Sequence, residues 1–389
     1  MKTNKEKLGI YIHIPFCEQK CSYCGFLSFP KGEKVREDYV ASLCRKIKKW
    51  GVDVGEKYNV DTVFIGGGTP SLLSEKEITD IMTSLRENFD LADQCEITIE
   101  SNPNSLTLEK LKCYLNLGIN RLSMGLQSMD DKILKTLGRI HNGEEGKQAY
   151  YLARKAGFKN INLDLMFAIS GQTKEIFKDT LEEVIAMNPD HISFYSLQIE
   201  EGTKFYDDYK NEKYEFISDE LMNEMYLMAT DILKENGYEK YEISNVAKDG
   251  KVCRHNLKYW SMDPFLGIGL GASGFIENYR YQEATDLNDW SLEAEDCQSE
   301  LARVKIACQK ETKDEQMGTY IITAMRRAKG ISFDEFRNLF GCEFQDVYGN
   351  LMEYINGEIE KGNLIKENGH IRFTDQGMLV SNDILCEFV

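Results

Sequence analysis

Six times between residues 9 and 198, a short run of strand character gives way to a longer stretch of helical periodicity. The runs are "GIYIHI" (9–14), "VDTVFIGG" (60–67), "CEITIES" (95–101), "INRLSMGLQS" (119–128), "KNINLDLMF" (159–167) and "HISFYSLQ" (191–198). Strands that alternate regularly with helices imply a parallel sheet. With right-handed crossovers the solutions are a barrel-like sheet or a doubly wound one. Both place ligand chemistry at the carboxyl ends of the strands. Those ends read Cys17–Cys24, "GGGTP", "ESNP", "GLQS", "LDLMF" and "SLQIE". Helix starts carry caps: Ser74 stands ahead of Glu77, and Thr107 ahead of Lys110 with Glu109 in the first turn.

Beyond about residue 210 the alternation stops. A charged stretch leads into a helix at about 218–236, and residues 242–275 read as loop-rich with a glycine cluster, "FLGIGLGASGF". From about 300 the pattern is mostly helical. It closes with a helix, a two-stranded wing turning at Glu367–Gly369, and a last helix. We divide the chain into a core domain (1–240), a connecting segment (241–298) and a winged-helix-like C-terminal domain (299–389).

Composition limits the partners. The 389 residues are 42% hydrophobic and 29% charged, enough for a large core. A formal charge of −17 argues against a nucleic-acid partner and against a purely electrostatic membrane contact. A docking site on a membrane complex is compatible with it. No run of roughly 18 apolar residues marks a transmembrane helix. The opening "MKTNKEKLGI" is too polar for a signal peptide, so a cytosolic chain with reduced thiols is expected. Eleven cysteines are then no disulfide framework. Cys44, Cys95, Cys113, Cys297, Cys308, Cys342 and Cys386 are scattered singly and read as small core or surface residues.

Cys17, Cys21 and Cys24 need a special account, being three thiols within eight residues behind the first strand. Incidental cysteines would not cluster so. A structural zinc site wants four ligands, usually as two separated pairs, and no second CxxC or CxxxC exists; His13, a fourth candidate, lies on the strand. Three thiolates with an open fourth position suit a [4Fe–4S] cluster better. At the other strand ends, the glycines of "GGGTP" permit a close backbone approach, or simply turn the chain. Glu100, Gln127, Arg139 and Asp164 bring polar groups to the same rim. Asp164 tells most, because an acid inside an apolar strand needs a partner. Tyr11 on the first strand either meets a ligand or fills core.

The spacing Cys-x3-Cys-x2-Cys with Tyr23 before the last cysteine resembles the signature of the radical S-adenosylmethionine (SAM) enzymes. In them the open iron chelates SAM. "YIHIPFC", "GGGTP", "ESNP", "GLQS", "GRIHN" and "LDLMF" resemble, in this order, the oxygen-independent coproporphyrinogen III oxidases and their relatives. The resemblance covers residues 8 to about 275, with a weaker echo at the C-terminus. It implies a partial (β/α)6 barrel, a [4Fe–4S] cluster on Cys17, Cys21 and Cys24, and a SAM site. That site would use Tyr11, Tyr23, Gly67, Gly68, Thr69, Glu100, Gln127, Arg139 and Asp164.

Two features divide these relatives. The oxidases carry a further cysteine two residues after the third and a longer N-terminal extension. Here Phe26 stands at that position, and about ten residues precede the first strand. "HNLKYW" (255–260) resembles the HN-x2-YW motif of the HemW-type heme chaperones, which have phenylalanine at the place of Phe26. It implies a heme site at His255, Asn256, Tyr259 and Trp260, with imidazole able to ligate iron and flat rings able to face a porphyrin. The alternative is a loop-capping His255 and a core Trp260. Cys253 is a second candidate ligand, whereas His13, His141, His191 and His370 read as structural. The expected function is binding heme and passing it to respiratory acceptor proteins, without catalytic residues of its own. Radical decarboxylation of coproporphyrinogen III is the enzymatic alternative. An electron donor to the cluster is implied, and a homodimer is left open.

Overall fold

Six parallel strands lie side by side in chain order: β1 (Glu6–Ile14), β2 (Tyr58–Gly67), β3 (Leu91–Ser101), β4 (Arg121–Gln127), β5 (Ile161–Phe167) and β6 (His191–Ser196). The computed structural model describes residues 5–30 and 32–388. A sheet whose order never reverses curls one way, so this is a partial barrel and not a doubly wound sheet. Helices such as Glu33–Val54, Glu75–Asn88 and Lys174–Met187 join the strands. Their starts follow the sequence signals. Ser74 closes a capping box with Glu77, and the Thr107 hydroxyl accepts from the Lys110 amide.

Alternation along the strands gives the barrel two different faces. Ile10, Ile12, Val63, Ile65, Ile99, Leu122, Met124, Leu163 and Leu165 are all buried in the main hydrophobic core. Each such side chain contributes about 1.5–3 kcal/mol when withdrawn from water. The intervening residues Thr62, Thr98, Arg121, Ser123, Asn162, His191 and Ser193 are buried as well, and they are polar. The inner face is therefore a hydrogen-bonded lining. Asn162 Nδ2 donates to Ser123 Oγ at 2.8 Å, and Asn162 Oδ1 lies 2.6 Å from His191 Nδ1.

The stretch read as loop-rich in fact supplies strands. β7 (Glu239–Glu242) and β8 (Asn245–Ala247) extend the sheet antiparallel beside β6. β9 (Phe265–Ile268) pairs parallel with β1, and β10 (Ser273–Ile276) and β11 (Tyr279–Gln282) follow antiparallel. These strands are three or four residues long, too short for a period to register, and their glycines serve packing. A Cβ on Gly267 would lie 2.0 Å from the Ser273 carbonyl oxygen.

The helix Arg254–Ser261 crosses the amino-terminal end of the barrel. Lys258 pairs with Asp61 at 2.8 Å, and the Arg254 guanidinium donates to the Asp61 and Gln94 carbonyls. The C-terminal domain packs helices Lys313–Ala324, Phe333–Phe340 and Met352–Glu360 on a small antiparallel sheet of β12 (Ile331–Ser332), β13 (Leu364–Glu367) and β14 (His370–Phe373). The wing turns through Asn368 and Gly369, both at positive φ, as a two-residue hairpin demands. This domain meets the barrel through an ion pair of Lys240 with Asp375 and a bond from the Ala328 amide to the Tyr241 carbonyl. No helix among the described residues is long and apolar enough to cross a membrane.

Candidate functional site at the carboxyl ends of the strands

The loop after β1 carries the three cysteines, and its course is fixed by backbone bonds. The Cys17 amide donates to the Phe29 carbonyl at 3.3 Å, the Ser22 amide to Leu137 at 3.1 Å, and the Phe205 amide to Ser22 at 2.9 Å. His13 pins the far end, with Nε2 at 3.0 Å from the Leu27 carbonyl and Nδ1 at 2.9 Å from the Tyr11 hydroxyl. Burial holds this imidazole neutral, so Nε2–H donates and Nδ1 accepts. Tyr11 thus stands behind the loop. It is not among the residues that line the cavity described below.

Three side chains connect two of the cysteines. Arg139 Nη1 donates to Cys21 Sγ at 3.5 Å, and its Nη2 donates to Asn102 Oδ1 and to the Gly125 carbonyl, each at 2.6 Å. Asn102 Nδ2 donates to Thr69 Oγ1 at 3.0 Å, and the Thr69 hydroxyl to Cys17 Sγ at 3.5 Å. Asn102 was not singled out within "ESNP"; a polar residue directly after the strand end, two beyond Glu100, is the available signal. No side-chain donor among the described residues reaches Cys24; burial raises its thiol pKa, against a backbone hydrogen bond from Phe26 that lowers it.

"GGGTP" is shaped by these neighbours. Gly67 sits at φ 111°, and a Cβ there would fall 2.5 Å from the His13 ring. The amides of Gly68 and Thr69 donate to Ile14 and Phe16, and that of Gly67 to Glu100 Oε2 at 2.9 Å. With the amides used, carbonyl oxygens are what this segment can offer a ligand, and an ammonium group seeks such acceptors. Glu100 is buried, which pushes its pKa up to about 8, and the nearby Asp164 adds to the shift. Asp164 is raised too, again chiefly by burial, while Asn162 Nδ2 donates to it at 2.7 Å. Gln127 adopts φ 70° at the end of β4, an uncommon backbone for a non-glycine residue and one that clusters at ligand sites.

The "HNLKYW" motif is helical, and periodicity splits it. His255 and Tyr259 are four apart on one face; Asn256 and Trp260 are four apart on the next. His255 is fully buried, with Nδ1 2.9 Å from Thr62 Oγ1 and Nε2 2.9 Å from the Tyr259 hydroxyl. Its ring stacks on Phe64 at 5.4 Å, and its amide donates to Glu96. Burial lowers its pKa to about 3. Both ring nitrogens of His255, expected as an iron ligand, are thus engaged by protein hydroxyls, and His255 is not among the residues that line the cavity described below. Cys253 is likewise fully buried, with its thiol toward Glu96. The glycines of "FLGIGLGASGF" lie outside the cavity wall.

One cavity of about 890 Å³ gathers the remaining assignments. Its wall contains Cys17, Cys21, Tyr23, Cys24, Gly67, Gly68, Thr69, Glu100, Gln127, Arg139 and Asp164, together with Asn256 and Trp260. Arg326, Met378 and Ser381 close it from the C-terminal domain, a contribution that sequence reasoning missed. Phe26 stands at the rim, 67% exposed. Three free thiols face this space, two of them receiving donors from Thr69 and Arg139. Among the described residues no three His, Cys, Asp or Glu side chains are grouped to hold a single metal ion. Three thiols facing one cavity are a donor set that suits an iron–sulfur cluster, whose irons each take one thiolate.

The chain matches the Radical SAM superfamily over residues 11–184 and the HemN C-terminal domain over residues 312–380. It is 31% identical over 380 residues to the heme chaperone HemW of Lactococcus lactis subsp. lactis (strain IL1403), covering 97% of this chain and 96% of that protein. Against the heme chaperone HemW of Escherichia coli (strain K12) it is 40% identical over 270 residues, 69% of this chain and 70% of the relative. The fold superposes on that of coproporphyrinogen III oxidase (HemN) from Escherichia coli with a TM-score of 0.83, covering 99% of this chain and 90% of the other at 23% identity. That likeness concerns fold alone. With near full-length similarity to a HemW protein and both domain matches in order, the chain belongs to the radical SAM superfamily and, within it, to the HemW family.

Proposed function

We propose that this protein is a cytoplasmic heme chaperone that takes heme into the cavity between barrel and C-terminal domain and passes it to respiratory acceptor proteins. One observation carries the reading. Asn256 and Trp260, from the motif that sets the heme carriers apart, open onto the same cavity as the cysteine loop. Trp260 offers a flat apolar face to a porphyrin. Relatives of 31% and 40% identity that bear the name heme chaperone support it.

Cys17, Cys21 and Cys24 would hold a [4Fe–4S] cluster, and Arg139 and Thr69 would donate to the sulfurs of Cys21 and Cys17. Gly67, Gly68, Thr69, Glu100, Gln127 and Asp164 would surround SAM, with Tyr23 beside the loop. When bound, this pair supplies one-electron reductive chemistry and needs an external electron donor. Tyr11 acts one step back, by orienting His13. His255 and Tyr259 hold the helix that presents Asn256 and Trp260.

Anaerobic titration of the reconstituted protein with heme tests this. Wild type should bind one heme per chain, and Trp260→Ala should weaken binding about tenfold, the order of one stacked aromatic contact. Unchanged affinity in Trp260→Ala would remove the cavity from the account.

A further inference from the structure

Arginine keeps its charge at every working pH, so an arginine without an acid opposite it reports what a cavity expects. The chain holds 13 arginines in an acidic sequence, and nine of them make ion pairs. Among the described residues the other four make none. Arg86 is exposed and donates to the Leu117 carbonyl. The other three, Arg121, Arg139 and Arg326, all line the one cavity. Arg139 is committed to Cys21, Asn102 and Gly125. That leaves two.

Arg121 stands on β4 deep in the barrel, 2% exposed, and its Nε has no hydrogen-bond partner. Glu96 and Asp164 are near enough to feel its charge but form no ion pair with it. The Glu96 carboxylate accepts from the amides of Arg254 and His255, and Asp164 from Asn162 and Ser123. Arg326 reaches the cavity from the C-terminal domain. It donates to Ser381 Oγ at 3.1 Å and Asn382 Oδ1 at 2.6 Å, both neutral groups. Arg121 is buried with its Nε unsatisfied, and Arg326 is partly buried with only neutral acceptors, so an anion is expected opposite each.

We propose that Arg121 and Arg326 form a two-point clamp for a ligand bearing two carboxylates, one seized from the barrel interior and one from the C-terminal domain. The clamp rests on the heme reading, since heme carries two propionates, and deepens it by naming the groups that recognise its charged edge. The amino-acid carboxylate of SAM is the other source of such a group, and the experiment separates the two.

Full-length anaerobic protein is titrated with heme and with heme dimethyl ester, and SAM retention is measured by equilibrium dialysis. Wild type should prefer free heme over the ester at least tenfold. Arg326→Gln should lower heme affinity about tenfold, the order of one charge-assisted hydrogen bond, and leave ester affinity and SAM retention unchanged. Arg121→Gln should do the same; Arg326→Gln, at a partly exposed site, keeps the test open if the deeper variant fails to fold. Equal affinity of wild type for heme and ester overturns the clamp while leaving heme binding intact. Loss of SAM retention with the heme preference unchanged assigns the arginines to SAM and also overturns it. Binding of neither heme nor ester overturns the parent reading and the clamp with it.

Discussion

Replacing His255 by alanine distinguishes an anchor from an iron ligand. The change removes two hydrogen bonds of 2.9 Å, to Thr62 and Tyr259, and opens a void against Phe64. At about 1 kcal/mol for each bond, plus about 2–3 kcal/mol for a cavity somewhat smaller than a phenylalanine leaves, the loss should be about 4–5 kcal/mol. Urea unfolding of the ligand-free protein reads this as a lower midpoint at similar slope. Acid adds a second signature. The buried ring titrates at about 3, with burial as the main cause and the Lys258 charge adding to it. In the unfolded chain it titrates near 6.5, so between these values the unfolded state binds a proton that the folded state refuses. Stability contributed by His255 is therefore full above about pH 6.5 and falls below it, by about 1.4 kcal/mol per pH unit. His255→Ala should flatten the acid limb by about one proton. An unfolding curve identical to wild type, combined with a lost heme absorbance band, would refute the reasoning and restore His255 as a ligand.

Further changes read other parts of the site. Serine at any of Cys17, Cys21 or Cys24 should abolish the iron–sulfur absorbance and about four irons per chain, measured after anaerobic reconstitution. Asn102→Ala breaks the link between Arg139 and Thr69; cluster half-life in air should shorten several-fold while secondary structure by circular dichroism stays as in wild type. Glu100 keeps its proton in the folded state up to about pH 8, whereas an unfolded glutamate releases it near 4.5. Its contribution is therefore lost as pH rises through that window. Glu100→Gln should raise the melting temperature of the ligand-free protein at pH 8 relative to wild type, with no gain at pH 4.5.

Much of this was legible in the residues, and the gaps have physical causes. The six β-α repeats determine a singly ordered parallel sheet, and the capping signals at Ser74 and Thr107 fix helix starts. The strands also carried an unread message. "EITIES" and "RLSMGLQ" alternate polar with apolar, whereas parallel strands buried on both faces read as continuous apolar runs. That alternation announces a polar barrel lining. "HNLKYW" reads as one site through its resemblance to a family motif, but on a helix the pairs at 255/259 and 256/260 face different ways. The short strands at 245–247 and 265–268 escaped because three or four residues show no period. Arg121 and Arg326 became conspicuous only in three dimensions, since lacking a partner is a property of surroundings rather than of sequence.

The most direct test incubates reconstituted protein, SAM and a reductant anaerobically with heme in one arm and coproporphyrinogen III in the other. The account predicts one tightly bound heme per chain, transferable to an apo-acceptor, and no change in coproporphyrinogen. Conversion of coproporphyrinogen to protoporphyrinogen would contradict it.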